Sequence, residues 1–236
     1  MARACPDGLQ AGFGLGGDYR NAICLIKSDF GYQPDGLKLM VTGTGFHIAN
    51  RRQSSFVATA AHNIYNHDLK RFARRIDCWF ARNGGVASAS REAQEVFVGE
   101  AYTAAAVPEV AHDFGLLRVS GLGTDRFPGI QMRESRAPTI FDARLIGYPD
   151  EDACYGRFAP YHADVLFGSQ GNDGFDYPAG QASYRGMSGG PLTGRDSVSG
   201  PVLAYGLHIR GPNDSEVRAV RFSPRVTSFY RRWLDP

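Results

Sequence analysis

Short apolar runs broken by turn residues fill most of the chain after Arg20. NAICLIKS and LKLMVTGTGFHIA flank a Pro34-Asp35-Gly36 turn, and SSFVATAAH follows. RIDCWFA, EVFVGEAY and DFGLLRV continue the series, and ARLIGYP, ADVLFG, PVLAYGLHI and VRAVRFS form a later set. Runs of this length, with turn signals at this spacing, predict the antiparallel strands of a sandwich or barrel, so the expected class is all-β. Residues 63–75 are polar and mixed and predict a short helical turn and loop. The period changes near the C-terminus. Ser223 is a good N-cap, Pro224 suits the first helical position, and Val226, Phe229, Tyr230 and Trp233 share one face, which predicts a helix over about 224–234 docked as core packing.

Gly121 to Pro128, GLGTDRFP, reads as the linker, dividing the strands into a first lobe over 18–122 and a second over 123–236. A chain of 236 residues can bury a sizeable core either way. The formal net charge of +2 gives no reason to expect nucleic acid or a membrane surface as a partner. The basic clusters Lys70-Arg71 with Arg74-Arg75, and Arg231-Arg232, read as solvated faces. No run approaches the roughly 18 to 20 apolar residues that cross a bilayer. Residues 1–17 read as a flexible arm or removable leader without the apolar core of a secretory signal. With Met1 as a native start the expected location is the cytoplasm; otherwise the protein is secreted. Gly12 to Gly17 fits G-x-G-x-x-G formally, yet no strand precedes it and no helix pattern follows, which removes the dinucleotide reading. Cys5, Cys24, Cys78 and Cys154 are scattered and lack metal-ligand spacing, so reduced thiols are expected.

The candidate chemistry centres on Tyr184 to Leu192, YRGMSGGPL, where Ser188 lies among glycines that can take backbone angles other residues avoid. A serine hydroxyl attacks at neutral pH only when a base takes its proton and a third group holds that base in the right tautomer. His62 ends the apolar run FVATAAH, and Asp113 stands just before the run FGLLRV. His112 beside Asp113 is a poor substitute for His62, since strand neighbours point to opposite faces. His47, His67 with Asp68, and His162 read as structural, because no metal-site spacing connects them. GMSGG also satisfies the G-x-S-x-G elbow of α/β-hydrolases. That fold requires the order Ser, acid, His, whereas here the order is His62, Asp113, Ser188. Taken alone, the loop is equally a glycine-rich turn without chemistry.

Together these three segments resemble the trypsin-like serine protease family, whose signatures are a TAAH-type histidine segment, an acidic residue opening a DIALL-type strand, and a GxSGGP serine loop. The resemblance runs from about Asp18 to the C-terminus. Within the family it is nearest to the glutamyl endopeptidase, or V8-like, branch, because AYGLHIRG over Ala204 to Gly211 resembles that branch's GIHxGG segment. It implies two six-stranded antiparallel β-barrels with the triad between them and a C-terminal helix. It further implies a serine endopeptidase acting on protein or peptide substrates with no metal or cofactor. Ser188 is the implied nucleophile, His62 the general base and Asp113 its orienting partner, with the N–H groups of Gly186 and Ser188 forming the oxyanion hole.

For specificity, the position where trypsin-type relatives carry an acidic residue is Ala182, which disfavours Lys or Arg at P1. Ser183 and His208 match positions that Glu-specific relatives use against a substrate carboxylate, so acidic P1 residues are expected. Arg210 departs from the glycine usual in that branch, and Ile209, Arg210 and Gly211 are expected to pair with the substrate backbone. His208 is alternatively a satisfied core histidine. Met187 stands where zymogen-activated relatives have an aspartate. Two other readings keep the fold: a catalytically silent, protease-like binding module and a triad esterase. An intracellular protease of this kind must be restrained or narrowly targeted, which suggests a regulatory or defence-linked role.

Overall fold

Period-2 alternation in the first half sends successive side chains to two different cores. Cys24 and Ile26 of the strand Ile23–Tyr32 join Val57, Ile76, Cys78, Phe80, Leu117 and Val119 inside a barrel, whereas Ile23 and Leu25 join a second cluster with Phe46, Phe56 and Leu116. The computed structural model describes residues 9–123, 125–134, 140–149, 159–165, 168–170, 174–177, 184–210 and 217–234. The barrel is closed and six-stranded, in the order Ile23–Tyr32, Lys38–Arg51, Ser54–Thr59, Gly115–Ser120, Ala89–Val98 and Arg75–Phe80. Cys24 and Cys78 are free, fully buried thiols within it. Burial, and then the neighbouring Cys78, push the Cys24 thiol's pKa up, so it stays protonated. The other two cysteines lie outside the described residues.

The second half forms a nine-stranded sheet. Its main path runs Gln10–Ala11, Tyr161–Asp164, Phe141–Gly147, Pro191–Arg195, Leu203–Arg210, Val217–Arg221, Gly174–Tyr177 and Gly168–Gln170. Gln131–Met132 adds a short parallel pairing to Leu203–Arg210. A second closed six-stranded barrel was the expectation; among the described residues this sheet is not closed. At one edge of it, Gln10 and Ala11 pair with His162 and Tyr161 and so occupy the outer side of Tyr161–Asp164.

The same pairing changes the reading of the N-terminal stretch. Residues 1–8 lie outside the described residues, but from Leu9 onward the expected free arm is seated. Leu9 is buried, Gly12 donates its N–H to Pro160 O, and Phe13 and Leu15 pack against the shared core. EVFVGEAY also differs from a single strand: it turns after Val98 into a four-residue helix, Glu100–Thr103, that buries Tyr102.

The shared core joins the halves. Phe46, Ile48, Phe56, Ala58 and Leu116 of the barrel meet Ile146, Tyr148, Leu207, Ile209, Val220 and Phe222 of the sheet. The C-terminal helix, Pro224–Leu234, closes this core as its apolar stripe predicts: Val226 and Tyr230 are fully buried, and Phe229 and Trp233 pack at its margin. Ser223 Oγ caps it by accepting the Val226 N–H at 3.4 Å, a weak bond that still serves one orphan donor. Tyr230 lies among Phe114, Phe222 and Phe229, and its hydroxyl donates to Gly115 O. Tyr230→Ala should therefore cost about 3–5 kcal/mol, the range for truncating large aromatics in a core, read as a lower midpoint in equilibrium urea unfolding.

Candidate active site

His62 leaves the barrel immediately after the strand Ser54–Thr59, in a short 3-10 turn over Ala61–Asn63. Asp113 follows another such turn, Val110–His112, and precedes the strand Gly115–Ser120, which pairs with the His62 strand. The pairing Thr59↔Gly115 brings the two strand ends together. Asp113 then grips His62 twice: Oδ1 accepts the His62 backbone N–H at 2.9 Å, and Oδ2 accepts from ring Nδ1 at 2.7 Å. The carboxylate is 9% exposed and the imidazole 32% exposed, so the pair is shielded on the Asp side and open on the other.

This fixes the tautomer as well as the orientation. With Nδ1 donating to a carboxylate, the proton of a neutral imidazole stays on Nδ1 and Nε2 keeps a lone pair. Burial pulls the His62 pKa down, but the Asp113 charge and hydrogen bond together more than offset that, so its pKa lies above the ordinary 6.5. Tyr102 and Tyr230 lie near the same carboxylate; burial first, and the Asp113 charge second, raise their pKa values and keep both phenols neutral. His112 takes a separate place, with its Nδ1 at 2.7 Å from an Arg225 guanidinium nitrogen.

Ser188 belongs to the other half of the chain and lies on two consecutive turns. Met187 N–H donates to Tyr184 O at 3.1 Å and Gly190 N–H donates to Met187 O at 2.9 Å. The third residue of each turn is a glycine with positive φ, Gly186 at 87° and Gly189 at 85°. Neither Arg185 nor Ser188 has positive φ. Both turns are therefore type II, which requires φ near +80° at that position and so favours glycine. Gly189 also has no room for a side chain: a Cβ there would stand 2.3 Å from both Thr44 O and Thr59 Oγ1.

The loop is held against the barrel by Thr44 and Asn63, both fully buried. Ser188 O accepts from Thr44 N–H at 2.8 Å and from Asn63 Nδ2 at 3.0 Å. Thr44 Oγ1 donates to Gly186 O at 2.8 Å and accepts Tyr148 N–H at 2.9 Å. On its other side the loop is bound to the strand Leu203–Arg210: Gly189 N–H donates to His208 O at 2.8 Å, and His208 N–H donates to Gly190 O at 2.9 Å. Asn63 directly follows His62, so docking Ser188 on Asn63 also places it beside the histidine's turn. Among the described residues no hydrogen bond joins Ser188 Oγ to His62, and none takes the N–H of Gly186 or Ser188. Catalytic bonds of this kind are often long before substrate arrives.

The specificity positions are less alike than their proximity in sequence implies. His208 is fully buried, and Ile209 packs its side chain into the shared core, leaving only its backbone for a ligand. Arg210 ends its strand opposite Val217, while Ser183 and Gly211 lie outside the described residues. His47 is a buried histidine whose Nε2 bonds Ala49 O at 2.8 Å, and its pKa is lowered chiefly by burial. His162 Nδ1 bonds Gly12 O. Among the described residues no group of three or more His, Cys, Asp or Glu is placed to hold a metal ion.

Thr44 and Asn63 carry no signal that a motif search reads as chemistry. The only hint is their company, a GTGF segment and the residue after the histidine, and their role depends on partners more than 120 residues away.

A family model described as a trypsin-like peptidase domain matches residues 43–199, a span that contains His62, Asp113 and Ser188. No curated protein sequence matches the chain. A solved structure of a Glu endopeptidase in complex with MPD superposes with a TM-score of 0.76 at 16% identity, covering 98% of each chain. The protease Anisep from Arthrobacter nicotinovorans gives 0.71 at 16% identity, covering 95% of this chain and 98% of that one. The thermostable serine protease AL20 from an extremophilic microorganism gives 0.68 at 16% identity, covering 92% and 98%. At this identity the likeness is one of fold.

Two outcomes follow from the geometry. In an NMR titration His62 should change protonation above pH 6.5, and Asp113→Asn should move that midpoint below 6.5, because the lowering by burial remains when the carboxylate's charge is removed. Gly189→Ala should destabilise the fold by more than the roughly 1 kcal/mol typical of substitutions, since strain at positive φ adds to a clash with Thr44 O. Thermal unfolding measures it.

Proposed function

Because the chain belongs to the trypsin-like peptidase family and is thereby a serine endopeptidase, we propose that it cuts peptide bonds with Ser188 as nucleophile, His62 as general base and Asp113 as the group that orients His62. The observation that carries this reading is the docking of the Ser188 carbonyl on Asn63, the residue after a histidine whose Nδ1 Asp113 already engages. Ser188 Oγ attacks the scissile carbonyl carbon as its proton passes to His62 Nε2. The displaced electron pair collects on the carbonyl oxygen, where the unclaimed N–H groups of Gly186 and Ser188 are available as donors. Collapse breaks the C–N bond, and His62 returns the proton to the leaving amine. Water, deprotonated by His62, then hydrolyses the Ser188 ester and releases the acid.

The proposed P1 preference is for Glu, with Asp second. It rests on Ala182 in place of an acidic residue, on the branch resemblance around Ser183 and His208, and on the fold shared with a Glu endopeptidase. His208 is bound to the serine loop through its own backbone. A buried histidine is a suitable partner for a carboxylate, which needs charge-assisted hydrogen bonds to offset its desolvation. Ile209 to Gly211 would offer backbone groups to an extended substrate.

A fluorophosphonate should label the protein, and Ser188→Ala should abolish that labelling and lower kcat about 10⁶-fold. Labelling that survives the substitution removes Ser188 as nucleophile. Hydrolysis of small esters without cleavage of any peptide would favour the esterase. In a peptide library Glu should dominate at P1; dominance of Lys or Leu would overturn the acid preference. Since the base must be neutral to accept a proton, kcat/KM should fall as the pH drops through the raised His62 pKa, giving an acid limb centred above pH 6.5.

A further inference from the structure

From the clasp on the serine loop we infer that the Thr44 hydroxyl is a positioning group for the oxyanion hole. The inference rests on the proposed role of Ser188 and goes beyond it, because Thr44 touches neither substrate nor His62.

Two N–H donors must point at one developing oxygen, and they sit in a loop whose glycines leave its backbone free to take other conformations. The intervening residue cannot supply an ionic anchor. Met187 is fully buried in an apolar cluster with Leu145, Leu192 and Tyr205 and carries no charge. Thr44 grips the loop on both sides of Met187 instead. Its Oγ1 holds Gly186 O at 2.8 Å and its backbone N–H holds Ser188 O at 2.8 Å. The two carbonyls belong to the peptides on either side of the one that carries the Ser188 N–H, and Gly186 itself carries the other donor. Fixing both carbonyls therefore holds the peptide between them, which carries the Ser188 donor, and restrains the residue that carries the Gly186 donor.

The hydroxyl is in turn fixed. Tyr148 N–H donates to Oγ1 at 2.9 Å, which leaves the Thr44 proton directed at Gly186 O, and Thr59 Oγ1 donates to Thr44 O at 2.7 Å. Thr44 is fully buried, so water does not replace these bonds when one is lost. Gly147 and Gly189 let the chains approach this closely: a Cβ at Gly147 would stand 3.0 Å from Thr44 Oγ1, and one at Gly189 2.3 Å from Thr44 O.

Thr44→Val tests this, because it removes the hydroxyl while keeping both the shape and the backbone bond to Ser188. The expected result is a kcat lowered about 10- to 100-fold with little change in KM, short of the 10²- to 10³-fold cost of deleting a donor outright. Affinity for a peptide aldehyde, whose adduct places an oxyanion in the hole, should fall in parallel. The acid limb should stay where the wild type has it, and Thr44→Ser should restore kcat to within about threefold. Folded Thr44→Val with wild-type kcat, a loss confined to KM, a shifted acid limb, or failure of Thr44→Ser to rescue would each overturn the inference. If Thr44→Val does not fold, Thr44→Ala is read in the same way; if neither folds, the hydroxyl serves folding and the inference fails. A Ser188→Ala protein that retains turnover would overturn the underlying reading, whereas a silent Thr44→Val beside a dead Ser188→Ala removes this inference alone.

Discussion

The carbonyl of Ser188 accepts two hydrogen bonds from the first barrel, from Thr44 N–H and Asn63 Nδ2. Ser188 belongs to the second half of the chain and His62 to the first, and among the described residues the cysteines, Cys24 and Cys78, are free thiols inside the barrel. The junction therefore depends on fully buried polar groups that find partners across it. A buried unmade bond costs more than a made one contributes, so such a junction is intolerant of misalignment. Asn63 shows the demand, since its buried amide donates to both Ser188 O and Thr59 Oγ1.

Beside this clasp the charge of Asp113 is directed at His62. Asp113 is shielded by its position at the strand end and accepts two bonds from His62, so its charge is expressed mainly on the imidazole. The imidazole keeps its outer edge open. Tyr102 and Tyr230 fill the space near the carboxylate with neutral rings, which keeps competing charge away from it. The C-terminal helix thus reaches the site through Tyr230, linking a piece of core packing to the environment of Asp113.

Scaffold and site differ in how they tolerate departures. The second sheet is not closed among the described residues, and an N-terminal strand covers one edge, yet the serine loop still hangs from the strand Leu203–Arg210 by paired bonds at His208. What the chemistry needs is local to the facing ends of the two halves. The same economy explains His208, whose backbone anchors the loop while its side chain is buried in the sheet.

Most strands were legible because alternation and turn residues are local signals, and the helix over 224–234 because its cap and stripe lie within one short segment. The order His62, Asp113, Ser188 was legible because each lies in a short, recognisable segment. Closure of the first barrel was legible only through the family resemblance; the seating of residues 9–15 and the helix at Glu100–Thr103 were not legible, since they depend on edges and faces supplied by distant strands. Thr44 and Asn63 are the clearest case. As isolated residues they are an ordinary strand threonine and a turn asparagine, and only the folded chain gives them Gly186 O and Ser188 O to hold. The amino-acid order by itself determined which groups are the candidates for chemistry; the tertiary structure decided which groups hold them in place, because a hydrogen bond across the junction depends on distance in space and leaves no period or motif along the chain.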